Sequence, residues 1–206
     1  MGFINKKLNV GERIKNQVEK KPKSNVYSHK EYQKDLFSVD TVIYKVENTL
    51  KNYNREDEEN RLNFLIKKEV YLYDDKETRD FFIVYHNVIN ELHFILLDAI
   101  RRQYKKAYNG GKGDYFAEDM EKCIKLCELD IQLTPEFIYY NNRYNGDMPF
   151  LPSFKRLCII YDKRKDYQSI IDVCKKGLSI GIIPEDKEDL SKRLLKAQAK
   201  LEKTSK

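Results

Sequence analysis

The chain has 206 residues, of which 35% are charged and 41% are hydrophobic, with 15 Tyr, 10 Phe and no Trp. This balance excludes an intrinsically disordered chain, because the aromatic and aliphatic side chains suffice for one hydrophobic core. No stretch approaches the roughly 18 consecutive apolar residues of a membrane-spanning helix, so we expect no membrane span.

The net charge of +6 belongs to the two ends of the chain. Residues 1–35 contain nine Lys or Arg against four Asp or Glu, and residues 185–206 contain seven against five. Residues 36–184 contain 23 against 24 and are nearly neutral. Because nucleic-acid-binding proteins usually concentrate basic charge on a folded face, this distribution favours solvated basic termini. Nucleic-acid binding through those termini is the alternative.

The cysteines indicate the cellular compartment. Cys123, Cys127, Cys158 and Cys174 form no CxxC pair and lie at positions that we predict to be inside helices. The first ten residues, "MGFINKKLNV", lack the apolar core of a secretory leader. Both observations favour a cytoplasmic protein with reduced thiols.

The first predicted elements are a basic arm and a helical region. Residues 1–35 are polar and lysine-rich, and we predict that they form a flexible arm. Over residues 36–110, apolar residues at spacings of three and four predict helices. The segment 74–108 predicts one long helix, with Asp74, Asp75 and Thr78 available for capping and a broad apolar stripe. The sequence "NGGKGD" ends that helix as a connector.

Three patterns are compatible with ligand sites, but each fits ordinary helix or loop chemistry better. His86 and His93 lie seven residues apart, whereas metal ligands on one helix are usually three or four apart. Cys123 and Cys127 have the shorter spacing but no second ligand pair nearby, so we predict that they pack as small hydrophobic side chains. "NGGKGD" lacks the preceding strand and the Lys-Ser/Thr of a phosphate-binding loop. We therefore expect no metal, no cofactor and no catalytic residue.

The most regular pattern lies at residues 151–182, "LPSFKRLCIIYDKRKDYQSIIDVCKKGLSIGI", where two amphipathic helices flank a polar turn. Large and small apolar residues alternate on the facing sides of the two predicted helices. They are Phe154, Leu157, Cys158 and Tyr161 on the first helix and Tyr167, Ile170, Ile171, Cys174, Gly177 and Leu178 on the second. With Pro184 closing the unit, the pattern resembles a degenerate tetratricopeptide repeat, a helical hairpin of about 34 residues.

A partial second copy lies upstream in "DMEKCIKLCELDIQLTP", where Cys127 aligns with Cys174 and Pro135 takes the place of the terminal Pro. The offset is 47 residues, so we predict that "PEFIYYNNRYNGDMPF" is an insertion between units. Residues 186–203 predict an amphipathic capping helix. The predicted fold is therefore all-α: a helical bundle or hairpins over residues 36–110, then a short tetratricopeptide-like α-solenoid with a capping helix over residues 111–206.

The resemblance implies a scaffold that binds a protein or peptide in a groove. On the first helix of the hairpin, the groove face would present Lys155, Ile159, Asp162 and Lys163. Ile159 stands where the carboxylate-binding subclass of the family has Asn, so that binding mode is not expected.

The predicted insertion is a second candidate surface for a partner, because Tyr and Arg are enriched at interface hot spots. Its candidate residues are Phe137, Tyr139, Tyr140, Arg143 and Tyr144. The alternative is that Phe137, Tyr140 and Tyr144 continue a helix and pack against the hairpin.

The leading functional prediction is a non-enzymatic protein–protein interaction protein of the adaptor or scaffold type. The alternative is a nucleic-acid-associated protein of a bacterial or phage mobile element that uses its basic termini. An enzyme acting through His86 and His93 is a third alternative, which no nucleophile–base pattern supports. The sequence leaves the partner and the oligomeric state open.

Overall fold

The computed structural model describes residues 38–68, 75–108, 114–145, 151–180 and 184–204. About 90% of this part of the chain is helical and none of it is in strands, which confirms the predicted all-α fold. Val39–Lys206 form one compact unit. The predicted arm of residues 1–35 lies outside the described residues.

Eight α-helices follow one another in the described ranges. They are α1 (Val39–Asn52), α2 (Arg55–Lys68), α3 (Lys76–His86), α4 (Val88–Ala107), α5 (Glu118–Tyr140), α6 (Pro152–Arg164), α7 (Tyr167–Ser179) and α8 (Pro184–Thr204). A π-helical turn, Asn141–Asn145, continues α5. None of these helices combines the length and the apolar character needed to cross a bilayer.

The predicted long helix 74–108 is wrong in one respect, because the structure divides it into α3 and α4 at Asn87. The Asn87 backbone is extended, and its Oδ1 accepts hydrogen bonds from the backbone N–H groups of Ile89 and Asn90. From α2, Glu58 Oε1 accepts the Val88 N–H at 2.9 Å. Asn is a preferred N-cap, and the apolar stripe continues across the break, so periodicity alone does not show it.

The predicted insertion does not begin at Pro135, and the alternative, in which Phe137 and Tyr140 continue a helix, is the arrangement found. Helix α5 passes through Pro135 and ends at Tyr140, so "PEFIYYNN" is helical and not a separate insertion. A Pro inside a helix removes one backbone hydrogen bond and crowds the preceding turn. Here the residues on both sides of it are buried, including Leu133 and Phe137. Tertiary packing therefore holds the helix together across the Pro.

From α4 onward the helices pack in series, each mainly against the helix before and the helix after it. Helix α1 packs against both α4 and α5, and α2 packs against α3. The predicted boundary near residue 110 falls in the connector between α4 and α5, which pack along each other.

The predicted hairpin at residues 151–182 is present as α6 and α7. Helix α6 ends at Arg164, and its C-cap residue Lys165 has a φ of 59° in the left-handed region. Asp166 caps α7 by accepting the Ser169 N–H. The facing residues that are buried are Phe154, Leu157, Cys158, Ile170, Ile171, Cys174 and Gly177. Pro184 begins α8 and does not close the unit.

Gly177 lies where α6, α7 and α8 meet. A Cβ atom at this position would lie 2.4 Å from Leu190 Cδ1 of α8 and 3.0 Å from Phe154 Cδ1 of α6. Both neighbouring side chains are buried. The lack of a side chain at Gly177 therefore allows the three helices to approach this closely.

Helix α8 matches the predicted capping helix. Leu190 and Ala197 are buried against the preceding helices, whereas Lys192, Lys196 and Glu202 are exposed. Such a polar outer face suits the end of a helical stack.

Candidate functional site

The predicted surface at residues 137–144 turns out to hold α5 against the rest of the fold. Phe137 and Tyr140 are buried, so the prediction that these two contact a partner is wrong. The ring of Phe137 stacks on His93 of α4 at a centroid distance of 3.8 Å. The Tyr140 hydroxyl accepts a hydrogen bond from Tyr53 at 3.1 Å. Because the helix continues through Pro135, the rings of Phe137 and Tyr140 both face the core.

Tyr139, Arg143 and Tyr144 remain partly exposed, but Tyr139 and Arg143 also bond to α2. The Tyr139 hydroxyl donates to Glu59 at 2.5 Å, and Arg143 Nη1 donates to the same carboxylate at 2.9 Å. The neighbouring Glu59 carboxylate raises the pKa of Tyr139. Arg55 of α2 lies over the Tyr139 ring at 4.0 Å. A partner at this surface would have to compete with these internal contacts.

The predicted groove residues of α6 are more accessible. Lys155 and Lys163 are exposed, and Ile159 and Asp162 are half-buried. Lys155, Ile159 and Lys163 follow one another at intervals of four residues, so they occupy one helix face. Asp162 pairs with Lys200 of α8 at 2.5 Å, and this carboxylate raises the pKa of Lys200.

Lys155 borders a shallow depression at the start of α8. Asp186 and Asp189 also line it, and Asp189 is paired with Arg193 at 2.7 Å. Lys155 itself forms no ion pair within the described ranges, so its ammonium group is available to a ligand.

A second group of aromatic and arginine side chains joins α4, the segment before α5, and α6. We call it the aromatic–arginine face, and it consists of Tyr104, Tyr108, Tyr115, Phe116, Arg156 and Arg164. Tyr104 and Tyr108 stack at a centroid distance of 5.9 Å, and Tyr115 meets Tyr108 edge-on at 6.1 Å. The Arg156 guanidinium lies 4.4 Å above the Tyr104 ring. These contacts bring α4 and α6 together along one side of the stack.

Arg164 fixes the other end of the aromatic–arginine face. Its Nε donates to the Tyr115 carbonyl oxygen at 2.5 Å, and its guanidinium lies 5.3 Å from the Phe116 ring centroid. It also pairs with Glu121 of α5 at 2.7 Å. Phe116 is nevertheless 69% exposed and Tyr108 39% exposed. The face is therefore ordered by internal contacts and still presents two aromatic rings to solvent.

No pattern in the sequence pointed to the aromatic–arginine face. Tyr104 and Arg156 are 52 residues apart, and cation–π partners carry no signature in sequence spacing. A partial signal exists, because aromatic residues stand on both sides of the connector between α4 and α5. Two helices joined by a short connector bring such residues to the same end of the hairpin.

The two histidines of the metal alternative do not share a helix. His86 is the last residue of α3, where it stacks on Phe82, whereas His93 lies inside α4. In the described part of the chain, no group of three or more His, Cys, Asp or Glu side chains is arranged to hold a metal ion.

His93 instead belongs to a buried polar cluster with Asp130 of α5 and Ser153 of α6. Asp130 Oδ1 lies 2.6 Å from His93 Nδ1, and Asp130 Oδ2 accepts the Ser153 hydroxyl at 2.5 Å. Each of the three residues is only 1% exposed. The carboxylate separates the hydroxyl from the imidazole, so the histidine is not placed to activate the serine. This arrangement serves the packing of three helices.

The predicted packing of the cysteines as small hydrophobic side chains is confirmed, since all four are free thiols and buried. Cys158 and Cys174 face each other across α6 and α7, with their Sγ atoms 3.6 Å apart. The hydrogen bond with the Cys174 thiol, together with burial, raises the pKa of Cys158. A buried thiol of raised pKa is a poor nucleophile.

Alkaline pH should destabilise the protein through its tyrosines. Burial raises the pKa of Tyr115 and that of Tyr161 to about 12, from the usual 10.0. The folded state therefore favours the neutral phenol; this stabilisation is fully present below about pH 10 and is lost as the pH rises through about 12. Urea unfolding at increasing pH should show a falling free energy of unfolding across that interval.

Lysines also contribute to the loss of stability at alkaline pH, because neighbouring carboxylates raise the pKa of Lys122 and of Lys192. Tyr161→Phe separates the two contributions: it removes one phenol and should make the alkaline loss less steep. A loss of identical slope in this variant would show that Tyr161 does not contribute.

No protein-family model, no curated protein and no solved structure matches this chain.

Proposed function

We propose that the protein is a non-enzymatic, cytoplasmic scaffold of the helical-repeat type, and that it binds a protein partner on the aromatic–arginine face. The observation that carries the proposal is the pair of exposed rings, Phe116 and Tyr108, held in place by Arg164 and Tyr104. Isolated exposed apolar residues are common, whereas an ordered cluster of Tyr, Phe and Arg is typical of interface hot spots. Rigid side chains lose little conformational entropy when a partner binds.

The serial packing of α4 to α8 supports this proposal. Helices that pack mainly on their neighbours are typical of repeat proteins that bind other proteins. Helix α6 contacts α4 through Arg156 and Tyr104, and it contacts α8 through Asp162 and Lys200. Lys155 and Lys163 directly precede Arg156 and Arg164 in sequence, so we place the groove residues and the aromatic–arginine face on one binding surface.

A pull-down with matched variants tests this function. Tyr108→Ser combined with Phe116→Ser should abolish capture of the partners that the native chain recovers from its host's lysate. The control is Tyr44→Ser combined with Phe64→Ser, which removes two aromatic residues that are 70% and 65% exposed on α1 and α2. This control should recover the same partners as the native chain.

Circular dichroism should show equal helicity in both variants, because none of the four rings is buried. If the Tyr108/Phe116 variant captured every partner that the native chain captures, the aromatic–arginine face would not be the binding surface.

A further inference from the structure

Basic charge within the nearly neutral body is concentrated on two helix segments beside the aromatic–arginine face. The last ten residues of α4, 98–107, carry four Lys or Arg and one acidic residue, Asp98. Helix α6 carries four Lys or Arg and one acidic residue, Asp162. Asp98 is neutralised by Arg101 and Arg102, and Asp162 by Lys200. The segments that adjoin the exposed rings therefore carry an excess of positive charge.

Three lysines of these segments have no carboxylate partner among the described residues. Lys105 of α4 and Lys155 and Lys163 of α6 are all exposed and take part in no ion pair there. Lys155 and Lys163 are eight residues apart, which is about 12 Å at 1.5 Å per helical residue. The half-buried Ile159 lies midway between them on the same helix face.

Lys155, Ile159 and Lys163 match the side-chain spacing of an extended peptide. A strand rises about 3.3 Å per residue, so side chains four residues apart are about 13 Å apart and point to the same side. The residue midway between them, two positions from each, points to that side as well. A peptide along α6 would thus place two carboxylates on the lysines and an apolar side chain on Ile159.

On this basis, and resting on the proposed function, we propose that α6 binds an extended acidic segment of the protein partner. In this segment, Asp or Glu residues four apart contact Lys155 and Lys163, and an apolar residue between them contacts Ile159. The exposed rings of Tyr108 and Phe116 contact the part of the partner that flanks this acidic segment.

Charge favours a peptide over a nucleic-acid strand. The acidic residues at the start of α5 lie in sequence beside Phe116, and they are Asp114, Glu118, Asp119 and Glu121. Three of these carboxylates already hold Lys106, Lys122 and Arg164 in ion pairs, so the phosphates of a strand that stacked a base on Phe116 would have to compete with them for those cations. A peptide carries its charge only at chosen positions and avoids that competition.

A phage-displayed library of random dodecapeptides, selected on the native full-length chain, provides the probe. We expect enrichment of Asp or Glu at two positions four apart with an apolar residue midway. The strongest selected peptide, fluorescently labelled, should bind Lys155→Glu/Lys163→Glu at least tenfold more weakly than the native chain in anisotropy.

Two controls make the result specific. Lys175→Glu/Lys176→Glu reverses two exposed lysines of α7 and should bind the peptide as the native chain does. Changing the two peptide carboxylates to Lys should restore binding to the Lys155→Glu/Lys163→Glu variant. This reversal is expected only if the charges meet directly.

The proposal is overturned if the selected peptides carry no acidic pair, or if they bind both charge-reversed variants equally. If such non-acidic peptides lose binding with Tyr108→Ser/Phe116→Ser, the proposed protein-binding face stands and only the acidic partner is rejected. If an oligothymidine of matched length displaces the peptide and depends on the same lysines, a nucleic acid replaces the peptide as the ligand.

Discussion

Replacement of Asp130 by Ala is expected to lower the free energy of unfolding by about 3–5 kcal/mol, among the largest effects of any single substitution in the chain. Asp130 accepts hydrogen bonds from His93 and Ser153, and all three groups are buried. Removing the carboxylate leaves two polar groups without partners inside the core, where neither water nor another side chain replaces the lost bonds. Chemical denaturation followed by circular dichroism measures the loss.

Two further variants show whether the hydrogen bonds cause this loss. Asp130→Asn keeps a carbonyl oxygen that can accept one bond, so it should be less destabilising than Asp130→Ala. Asp172→Ala removes an exposed carboxylate of α7 that, among the described residues, accepts from Gln168 alone, and it should change stability by less than about 0.5 kcal/mol. If Asp130→Ala cost no more than Asp172→Ala, the cluster would not stabilise the fold.

Gly177→Val is expected to destabilise the protein by about 2–3 kcal/mol through overpacking. The added Cβ meets Leu190 Cδ1 at 2.4 Å, and the two methyl groups extend further into the contact with Phe154. Leu190 of α8 is buried against α7, so a shift of its side chain disturbs a packed contact. Gly177→Ala should cost less, since Ala adds no methyl beyond Cβ and favours the helix by about 1 kcal/mol over Gly.

A double-mutant cycle identifies the steric cause. Leu190→Ala alone should cost about 2–5 kcal/mol, because it leaves a cavity. Combined with Gly177→Val, the loss should be smaller than the sum of the two single losses by at least about 1 kcal/mol, since the Val side chain fills the space that Leu190 vacates. Strictly additive losses would mean that the side chain added at position 177 does not clash with Leu190.

The hairpin of α6 and α7 shows what the sequence predicts well. Its residues follow the helical period over short distances, and the turn has a strong cap at Asp166. Seven of the predicted packing positions, from Phe154 to Gly177, are buried as expected. Local patterns suffice here because each helix meets its nearest neighbour in the chain.

The divided helix at Asn87 shows where local patterns fail. Glu58, 30 residues away, accepts the Val88 N–H and helps α4 to begin there. Periodicity on either side of Asn87 is that of one helix, so the break depends on a tertiary contact. At Pro135 the opposite happens, because burial on both sides preserves a helix that local chemistry would end.

The candidate binding surface was predicted only in part. Lys155, Ile159 and Lys163 are accessible because they follow the helix face opposite to Phe154 and Leu157, which the periodicity defines. The aromatic–arginine face depends on contacts between residues such as Tyr104 and Arg156, which are far apart in sequence. Burial of Phe137 and Tyr140 likewise depends on how α5 lies against α1 and α4, which composition does not specify.

The cluster of His93, Asp130 and Ser153 has a consequence for the register of the helices. Leu, Ile and Cys side chains line the contacts between α4, α5 and α6, and such apolar surfaces tolerate a slide of one helix along another. A slide of α5 by one turn, about 5.4 Å, would preserve much of the apolar burial but would separate Asp130 from both partners. We infer that the cluster selects a single alignment among otherwise similar packings, as one buried polar residue does in a coiled coil. The outer face of α4 and α6 then keeps a fixed geometry because these helices are aligned from within.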